Sequence, residues 1–590
     1  QTHQNTRGAL LLKHHFHTRY NLTLGTGARS SASQQATPLD AERHSSDRRP
    51  PSPCSTLGPS RQRSDAYEGS LPADNSAGHV TTVVQIGMGP IQAAVGLVTA
   101  PLRLLPGRAL PPEATIEYDE DANTAVVPQQ YADKAEHWPE VDPKDAKTPD
   151  AWVQRHPSMI RLTGRHPFNS EAPLPELLSH GFISPQNLHI VRNHGAVPRL
   201  EWDTHRVEVK GNVRRRLSLS MDEIASMKSI TFPCLVTCAG NRRKEQNQIK
   251  KSIGFNWGPS AVGTTMWTGV PLREVLKRAG VTKPGPGRRF VCFAGPQGEL
   301  PMQYEHQQGG PGSYGTSIDI ETALDPTCDV IVAYMQNGER LHPDHGFPVR
   351  VLIPGYIGGR MVKWLSQIEV TGEESSNYFH FNDNRVLPPN VDVEKAGAEG
   401  WWFKPEYIIN NLNINGAIAH PWHNTSIPAS DKTTALSGYC YSGGGRKIIR
   451  AEISLDQGLS WQLAEITERE TPRWAANSSN DKAKHWCWVF WKHEIAVSDL
   501  EGCPEICFRA VDQSQNSMPE RPTWNVMGML NNPWYRVRVH KEGDGYRFEH
   551  PTLAGPDKEE GWMVKMAKAA PEGELRWGWG GKGTPAAPAP

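Results

Sequence analysis

A cysteine beside a cluster of basic residues is the most chemically suggestive feature of this sequence. Residues 234–247 read CLVTCAGNRRKEQN, so Cys238 ends an apolar run, a glycine follows, and two arginines and a lysine come next. A buried structural cysteine does not need such positive charge, whereas a thiolate that ligates a metal or meets an anionic substrate does. The pattern therefore predicts a functional site at this turn.

The other cysteines do not complete a structural zinc site. The pairs at 234/238 and 503/507 have a four-residue spacing, but no second cysteine or histidine pair lies near either of them. In HWCW (485–488), His485 and Cys487 would share one face of a strand without a third ligand. Nine thinly spread cysteines fit a reducing compartment better than a disulfide scaffold.

Length and charge limit the possible functions. A chain of 590 residues predicts about two to four domains. Lysine plus arginine equal aspartate plus glutamate at 63 each, so the net charge does not indicate nucleic acid or a membrane surface as a partner. No window of eighteen apolar residues is present, and no transmembrane helix is expected.

Two patterns predict the elements that must position the site. From about 136 to 395, apolar runs such as FVCFAG (290–295) and DVIVAYM (329–335) alternate with loops rich in Gly, Pro and His, which predicts mixed α and β structure. After about residue 400, strand-like runs separated by turns about every ten residues predict a β-sandwich.

Both ends of the chain have other compositions. Residues 1–39 lack acidic residues and have the composition of an organelle transit peptide. Residues 40 to about 80 are predicted to be disordered, and the apolar patch at 81–105 has no assigned role. The last residues, 563–590, are rich in Gly, Pro and Ala, which is typical of a linker.

Six segments in order carry a resemblance to a known family. They are RLTGRHPFNSEAPL (161–174), VRNHGAVP (191–198), CAGNRRKEQN (238–247), DHGFPVRVLIPGYIGGRMVKWL (344–365), DNRVLPP (383–389) and WNVMGMLNNPWYRVRV (524–539). Together they resemble the molybdenum part of eukaryotic assimilatory nitrate reductase, which belongs to the sulfite oxidase family.

The resemblance covers about 140 to 565 and implies an α+β fold of two domains, in agreement with the patterns above. The first is a sulfite-oxidase-type molybdopterin-binding catalytic domain (136–396). The second is an immunoglobulin-like β-sandwich dimerisation domain (397–562). A disordered or targeting-like extension (1–135) precedes them, and a hinge linker (563–590) follows.

The resemblance also implies the cofactor, a molybdenum-molybdopterin. Cys238 would be the protein's ligand to molybdenum, since a soft thiolate suits a metal already held by sulfur, and Cys234 is assigned to the core. The cofactor-binding residues would be Arg192, Asn193, His194, Cys238, His345, Arg350, Met361, Val362 and Lys363. The loop SYGTS (313–317) is a further cofactor candidate.

The implied anion pocket distinguishes members of the family. The catalytic set would be Arg192, Arg243, Trp257, Asn384 and Met527. The arginines offer forked donors to oxygen pairs, and Trp257 would form an apolar wall and offer its indole N–H. Sulfite oxidases typically have tyrosine in place of Asn384 and arginine in place of Met527, so this pocket is of the nitrate type.

The implied reaction is reduction of nitrate to nitrite by oxygen-atom transfer to Mo(IV), the first step of nitrate assimilation. Electrons would come from a b-type haem domain or a separate redox partner, and haem and FAD are expected only in a C-terminal part that this chain lacks. The expected assembly is a homodimer that buries an exposed aromatic strand surface at 485–491. The expected location is the cytoplasm, with organelle import as the alternative.

Two other functions stay open on the sequence alone. A sulfite-oxidising enzyme would share the fold but run another reaction, and sulfite turnover without nitrate turnover would favour it. A cofactor-free dimeric binding module would not be an enzyme, and finding well-folded protein without molybdenum would favour this second alternative.

Overall fold

The computed structural model describes residues 118–119, 124–125, 141–298, 300, 307–473, 483–555 and 560–569. The transit-like, disordered and apolar segments predicted between residues 1 and 105 lie outside the described residues, as does most of the predicted linker. Among the helices that are described, none is both long enough and apolar enough to cross a membrane.

Ordered elements occur where the sequence predicted none, at both ends. Strands β1 (Tyr118–Asp119) and β2 (Thr124–Ala125) pair antiparallel inside the extension predicted to run to residue 135. At the other end, a helix at Trp562–Ala569 occupies the start of the predicted linker. The Trp562 indole N–H donates to the Arg536 carbonyl at 3.0 Å, and Trp562 packs with Ile249. The Gly, Pro and Ala content predicted a linker, but the apolar side chains at the start of this segment are buried and stabilise a helix.

Thirteen further strands are described between residue 160 and the sandwich. They are β3 Ile160–Arg161, β4 Asn169–Glu171, β5 Val191–Arg192, β6 Arg206–Gly211, β7 Leu217–Ser220, β8 Ile230–Thr237, β9 Val262–Pro271, β10 Phe290–Ala294, β11 Gly315–Asp319, β12 Ile331–Gln336, β13 Glu339–Arg340, β14 Arg350–Leu352 and β15 Gln367–Thr371. One sheet has the order β11-β10-β15-β6-β7. A second has the order β13-β12-β9-β8, with β14 paired to β12, and β3, β4 and β5 form a third.

Burial patterns explain the two larger sheets. Strand β6 alternates exposed and buried residues in its first four positions, as expected of a strand with one solvated face. Strand β8, ITFPCLVT, is buried at every position, because neighbouring elements cover both faces. Strand β8 pairs with β9 up to Thr237↔Val262, and the next residue is Cys238. A strand that is buried along its whole length therefore delivers the candidate metal ligand.

The helices are short and sit at the ends of strands. They are α1 Leu174–Ser179, α2 Met221–Ala225, α3 Arg243–Ile249, α4 Leu272–Arg278, α5 Ile320–Leu324, α6 Tyr378–Phe381, α7 Val393–Ala398 and α8 Trp562–Ala569. Helix α2 begins with a capping box, in which Ser220 and Glu223 exchange side-chain and backbone hydrogen bonds.

The second half of the chain is a nine-stranded antiparallel sheet. Its strands are β16 Asn415–His420, β17 Ser426–Pro428, β18 Thr433–Tyr441, β19 Ile448–Ser454, β20 Gln462–Glu468, β21 Val489–Ala496, β22 Glu505–Asp512, β23 Tyr535–Glu542 and β24 Gly545–Glu549. The order is β16-β18-β21-β20-β19-β22-β23-β24-β17. Strand β16, at one end, also lies against β22 and β23, so the sheet curls into two facing layers. The predicted sandwich is confirmed.

The aromatic surface predicted at 485–491 is not exposed. Trp486, Trp488 and Trp491 are all at most 6% exposed. The Trp488 indole N–H donates to the Phe182 carbonyl at 2.9 Å, and the Trp491 ring stacks on Phe508 with centroids 4.5 Å apart. The prediction of an exposed dimer surface here was wrong, because these rings are buried within the chain itself.

Candidate functional site

One cavity of about 340 Å³ collects side chains from distant parts of the chain. Its lining comes from the end of β5, the turn after β8, the loop before β14, the segment after α6, and a loop of the sandwich at 527–529. All the predicted site residues line it except Asn193, Trp257 and Val362. The catalytic wall therefore includes the second half of the chain.

Cys238 lies at the base of this cavity, half-buried, whereas Cys234 is fully buried in the core. The Gly240 backbone N–H points to the Cys238 sulfur at 3.4 Å. Burial raises the pKa of the Cys238 thiol, and the positive charges of Arg243 and Arg192 act in the opposite direction. Those charges favour the thiolate that a soft metal binds.

Arg243 is held by backbone alone. Its Nε donates to the Gly528 carbonyl at 2.8 Å, and its Nη1 donates to the Phe255 carbonyl at 3.1 Å. A Cβ on Gly240 or Gly254 would approach the guanidinium to 2.5 Å, so glycine is required where the backbone meets this side chain so closely. Among the described residues, no carboxylate forms a salt bridge with Arg243, so its charge is available to an anion.

Arg192 faces the same space from the end of β5. Its Nη1 donates to the Asn193 carbonyl at 2.6 Å and to Asn169 Oδ1 at 3.3 Å. The guanidiniums of Arg192 and Arg243 lie 5.3 Å and 5.9 Å from the centre of the Phe255 ring. Phe255 thus separates two like charges with an aromatic face that attracts both.

Phe255, and not the predicted Trp257, lines the cavity wall. Trp257 is fully buried, with its ring centroid 5.2 Å from that of Phe255. Its indole nitrogen is buried and has no hydrogen-bond partner within the described residues. The structure therefore places Trp257 one layer behind the wall that it was predicted to form, because Phe255 occupies the space between Trp257 and the two arginines.

Asn384 sits on a strained turn. Its φ is 54°, a left-handed conformation that asparagine tolerates better than most residues. The Asn384 amide nitrogen lies 3.4 Å from the Tyr314 hydroxyl, which donates to the Gly359 carbonyl at 2.8 Å. Asp383 Oδ1 accepts the Asn384 backbone N–H at 2.9 Å. The amide thus stands at the cavity surface on a turn fixed from both sides.

The opposite end of the cavity carries a second set of cations. Arg350 Nη1 and Nη2 donate to the His345 and Met361 carbonyls, each at 3.1 Å, while its buried Nε has no partner within the described residues. Burial lowers the pKa of Arg350 to about 10. Burial also lowers the pKa of Lys363 well below its usual value, against the attraction of Asp344. A bound anion would offset this cost.

Asn193 and Val362 support this end from behind. Lys363 Nζ donates to the Asp344 carbonyl at 2.8 Å and forms a short contact with Asn193 Oδ1. Asn193 Nδ2 in turn donates to Asp344 Oδ1 at 2.8 Å. The Val362 carbonyl accepts the Val351 N–H at 2.9 Å, in a fully buried segment. Neither residue lines the cavity, yet both hold residues that do.

The histidines of the site are neutral. Burial and the charge of Arg192 lower the pKa of His194 to about 4. Burial, with the nearby His189 and His342, lowers the pKa of His345 well below its usual value. His345 Nε2 lies 2.9 Å from the Gln186 carbonyl, which fixes the proton on that nitrogen. Cationic recognition here therefore depends on arginine and lysine.

Several lining residues were not predicted individually from the sequence. They are Phe255, Tyr314, Asp344, Phe379, Asp383 and Met529. Most lay inside or beside a segment already singled out: Asp383 precedes Asn384, and Tyr314 belongs to SYGTS. Phe379 lies in none of these segments, and only the fold brings it beside His194, with ring centroids 4.9 Å apart.

The donor set fits a cofactor that brings its own metal ligands. In the part of the chain that is described, no group of three or more His, Cys, Asp or Glu side chains converges as a metal site. Cys238 therefore offers one thiol beside cations, with Arg350 Nε unpartnered at the other end. A metal held mainly by sulfur from an anionic organic ligand matches this combination.

Comparison with protein families agrees with this interpretation. Residues 194–379 match the oxidoreductase molybdopterin binding domain, and residues 406–542 match the Mo-co oxidoreductase dimerisation domain. The NADH nitrate reductase of Volvox carteri is 52% identical over 443 residues, which are 73% of this chain and 50% of that enzyme. The chain belongs to the molybdopterin-binding oxidoreductases that carry a Mo-co dimerisation domain, and it is similar to eukaryotic nitrate reductases.

Other relatives in this family agree. The NAD(P)H nitrate reductase of Betula pendula is 52% identical over 72% of this chain and 47% of its own length. That of Hordeum vulgare is 50% identical over 76% of this chain and 50% of its own length. The chain thus spans about half the length of the curated relatives it matches. The sulfane dehydrogenase SoxCD from Paracoccus pantotrophus shares the fold, with a TM-score of 0.50 and 22% identity over 68% of this chain and 89% of that one.

Proposed function

We propose that this chain carries out the molybdenum-dependent reduction of nitrate to nitrite. The observation that carries the proposal is the convergence of the Cys238 thiol, Asn384, Met527 and two arginines on one cavity of about 340 Å³. Within the described residues, neither arginine forms a salt bridge with a carboxylate. A thiol and two cations in a small enclosed space match a soft metal and a small oxyanion. The whole relatives are named nitrate reductases, which supports the same substrate.

Cys238 is the proposed metal ligand. Arg350 and Lys363 are proposed to bind the anionic tail of the pterin, with His345, His194 and Asn193 as polar neighbours and Met361 and Val362 as backbone supports. When bound, the cofactor supplies the two-electron chemistry and accepts the oxygen atom that nitrate releases. The side chains of the protein bind the cofactor and the substrate, orient the substrate and stabilise the charge that develops during the reaction.

The front of the cavity holds the anion in the proposed mechanism. Arg192 and Arg243 both contact the Phe255 ring and pair with nitrate oxygens, which fixes the anion relative to Cys238. The Asn384 amide donates to a third oxygen. The same arginines stabilise negative charge that develops as the N–O bond breaks, so no side-chain nucleophile is needed. Trp257 backs the wall through Phe255.

Met527 sets the proposed preference for nitrate over sulfite. It comes from the sandwich loop and lines the cavity with its apolar side chain. A cation there would favour a doubly charged anion, whereas a thioether leaves the pocket with fewer positive charges. Oxidation of sulfite remains the competing activity, since it needs the same fold and metal ligand.

The proposed assembly is a homodimer formed through the sandwich, which matches a dimerisation domain. Leu459 and Leu463, at 89% and 66% exposure, are apolar side chains of the sandwich available to a second copy. The proposed electron donor is a b-type haem domain or a separate redox protein, and the proposed location is the cytoplasm. Sedimentation of the purified chain tests the dimer.

The decisive test is turnover of molybdenum-loaded protein with reduced methyl viologen and nitrate, beside a sulfite and ferricyanide assay on the same sample. Nitrite formation is expected from the wild type and not from Cys238→Ser, which should also retain less molybdenum by metal analysis. Cys234→Ala is the matched control, because that thiol is buried in the core four residues earlier. Sulfite oxidation without nitrite formation would overturn the proposed substrate.

A further inference from the structure

A carboxylate stands among the cations of the anion pocket. Asp383 lines the cavity together with Arg192 and Arg243, and its side chain is 18% exposed. Its Oδ2 lies 3.2 Å from His194 Nε2, and its Oδ1 accepts the Asn384 backbone N–H at 2.9 Å. A carboxylate in a site for anions repels the ligand and weakens its binding, so its presence there calls for an explanation.

This carboxylate is ionised. Burial opposes its charge, but the hydrogen bond from His194 and the charge of Arg192 lower the pKa of Asp383 to about 2. The partner histidine is neutral and donates its Nε2 proton, because burial and Arg192 hold the pKa of His194 near 4. The pair therefore carries one full negative charge at neutral pH.

Asp383 forms no salt bridge with an arginine or lysine among the described residues. Both its oxygens accept hydrogen bonds from neutral groups, while Arg192 and Arg243 are bound by carbonyl and amide oxygens. Lys363 is close to Arg192, since both bind Asn193, whereas the charge of Asp344 is paired with Arg155. Asp383 therefore offsets one unit of the positive charge that Arg192 and Arg243 bring to the cavity.

We propose that Asp383 is a specificity-determining residue that lowers the positive charge of the pocket by one unit and so selects a monoanion over a dianion. This inference rests on the proposed function, since nitrate carries one charge and sulfite two. Specificity requires a repulsive element against the competitor as well as attraction to the substrate, and a fixed carboxylate repels the second charge of a dianion. The thioether of Met527 adds no positive charge to the pocket, and the carboxylate of Asp383 offsets one positive charge that is already there.

A purely local role is the rival explanation. Asp383 also holds the backbone of Asn384, whose φ is 54°, so its loss could disturb the turn without any effect of charge. Asp383→Asn separates the two roles, because an amide oxygen can still accept from the Asn384 N–H while the charge is gone. A disturbed turn would weaken binding of all anions alike, whereas a lost charge would change their ratio.

The test compares perchlorate with sulfate, two tetrahedral oxyanions of similar size that differ by one charge. Each is titrated into molybdenum-loaded protein at constant ionic strength, with binding followed by calorimetry. The wild type should prefer perchlorate, and Asp383→Asn should shift the affinity ratio toward sulfate by about tenfold or more, as expected for a change of one charge in an enclosed site. Asp383→Glu, which keeps the charge, should keep the wild-type preference.

Glu374→Gln is the matched control. This carboxylate lies outside the cavity lining, 3.1 Å from His380 Nε2, and its loss should leave the ratio unchanged. If Asp383→Asn loses molybdenum, Asp383→Ser carries the same test. An unchanged ratio in a charge-removing variant that retains molybdenum, or a wild type that prefers sulfate, would overturn the proposal. The readout is binding, so an enzyme that turned over sulfite would refute the proposed substrate while leaving the effect of Asp383 measurable.

Discussion

Arg242 and Arg243 are neighbours in sequence that belong to opposite electrostatic regions. Arg242 faces the seam between the two halves of the chain, where Glu245 accepts from its Nε and Nη2 at 2.8 and 2.7 Å. Its Nη1 donates to the Asn415 side chain at 2.9 Å and to the Pro533 carbonyl at 2.8 Å. Arg243 faces the cavity, and its hydrogen bonds go to the backbone carbonyls of Gly528 and Phe255.

The difference teaches how to separate structural from functional charge. A buried arginine whose carboxylate partner lies in the same fold is neutralised before any ligand arrives, so it holds elements together. A buried arginine bound only by carbonyls keeps its full charge and attracts an anion. Burial alone does not distinguish them, since Arg242 is fully buried and Arg243 is 4% exposed.

Removing the seam arginine should have the largest effect on stability. Arg242→Met leaves Glu245, 2% exposed, without its partner, and should cost about 3–5 kcal/mol of unfolding free energy. Urea denaturation of the full chain measures it. The double variant Arg242→Met, Glu245→Leu should be more stable than Arg242→Met alone, because no charge is then stranded. A loss below about 1 kcal/mol in the single variant would place Arg242 outside the structural class.

The same substitution one residue later should act on catalysis instead. Arg243→Met should lower kcat/KM for nitrate by about 10²- to 10³-fold, as for the loss of one donor that stabilises developing negative charge. Its unfolding free energy should stay the same or rise, because no buried carboxylate loses a partner. Steady-state kinetics and urea denaturation on one preparation decide this. Equal destabilisation by the two arginine variants would abolish the distinction between seam and cavity.

Glu470 is the acidic counterpart at the seam and should give a smaller, pH-dependent effect. It accepts the Cys487 backbone N–H at 3.1 Å and the Trp486 N–H. Burial raises its pKa to about 7. Because the unfolded carboxyl titrates near 4.5, the folded state loses stability as pH rises between these values, by about 3 kcal/mol in total.

Glu470→Gln isolates this contribution. The variant should match the wild type near about pH 4 and exceed its stability by about 3 kcal/mol near about pH 8, since an amide has no charge to bury. Denaturation at several pH values measures the difference, and titrations common to both proteins cancel. A difference that does not depend on pH would mean that Glu470 is not protonated in the folded state.

The local sequence predicted the polar residues of the candidate site better than it predicted which aromatic residues line the cavity beside them. Cys238 follows an apolar strand, Arg243 begins helix α3 a few residues later and Asn384 lies in a turn, so their positions in the chain can be predicted, and the structure brings them to one cavity. Phe255 could not be chosen over Trp257, because two aromatic residues two positions apart look alike until the backbone decides which one faces the arginines. The roles of these residues stay predictions.

The aromatic strand illustrates the same limit. A run of tryptophans predicts burial of large apolar surface, but burial against a second copy and burial within the chain have the same sequence pattern. Only the tertiary structure decides between them, because the Trp488 indole N–H donates to the carbonyl of Phe182, which is far away in the chain. Likewise, the helix at Trp562–Ala569 depends on contact with Ile249 rather than on its own composition.

The sequence by itself determined the two-part architecture and the candidate ligand, because strand periodicity and motif order are local properties of the chain. Tertiary structure alone decided which charges remain free. Arg242 and Arg243 are the same residue type in the same segment, and they differ because the folded chain places the Glu245 carboxylate against Arg242, and backbone carbonyls and the cavity against Arg243. Charge depends on distance between side chains, and those distances exist only in the folded chain.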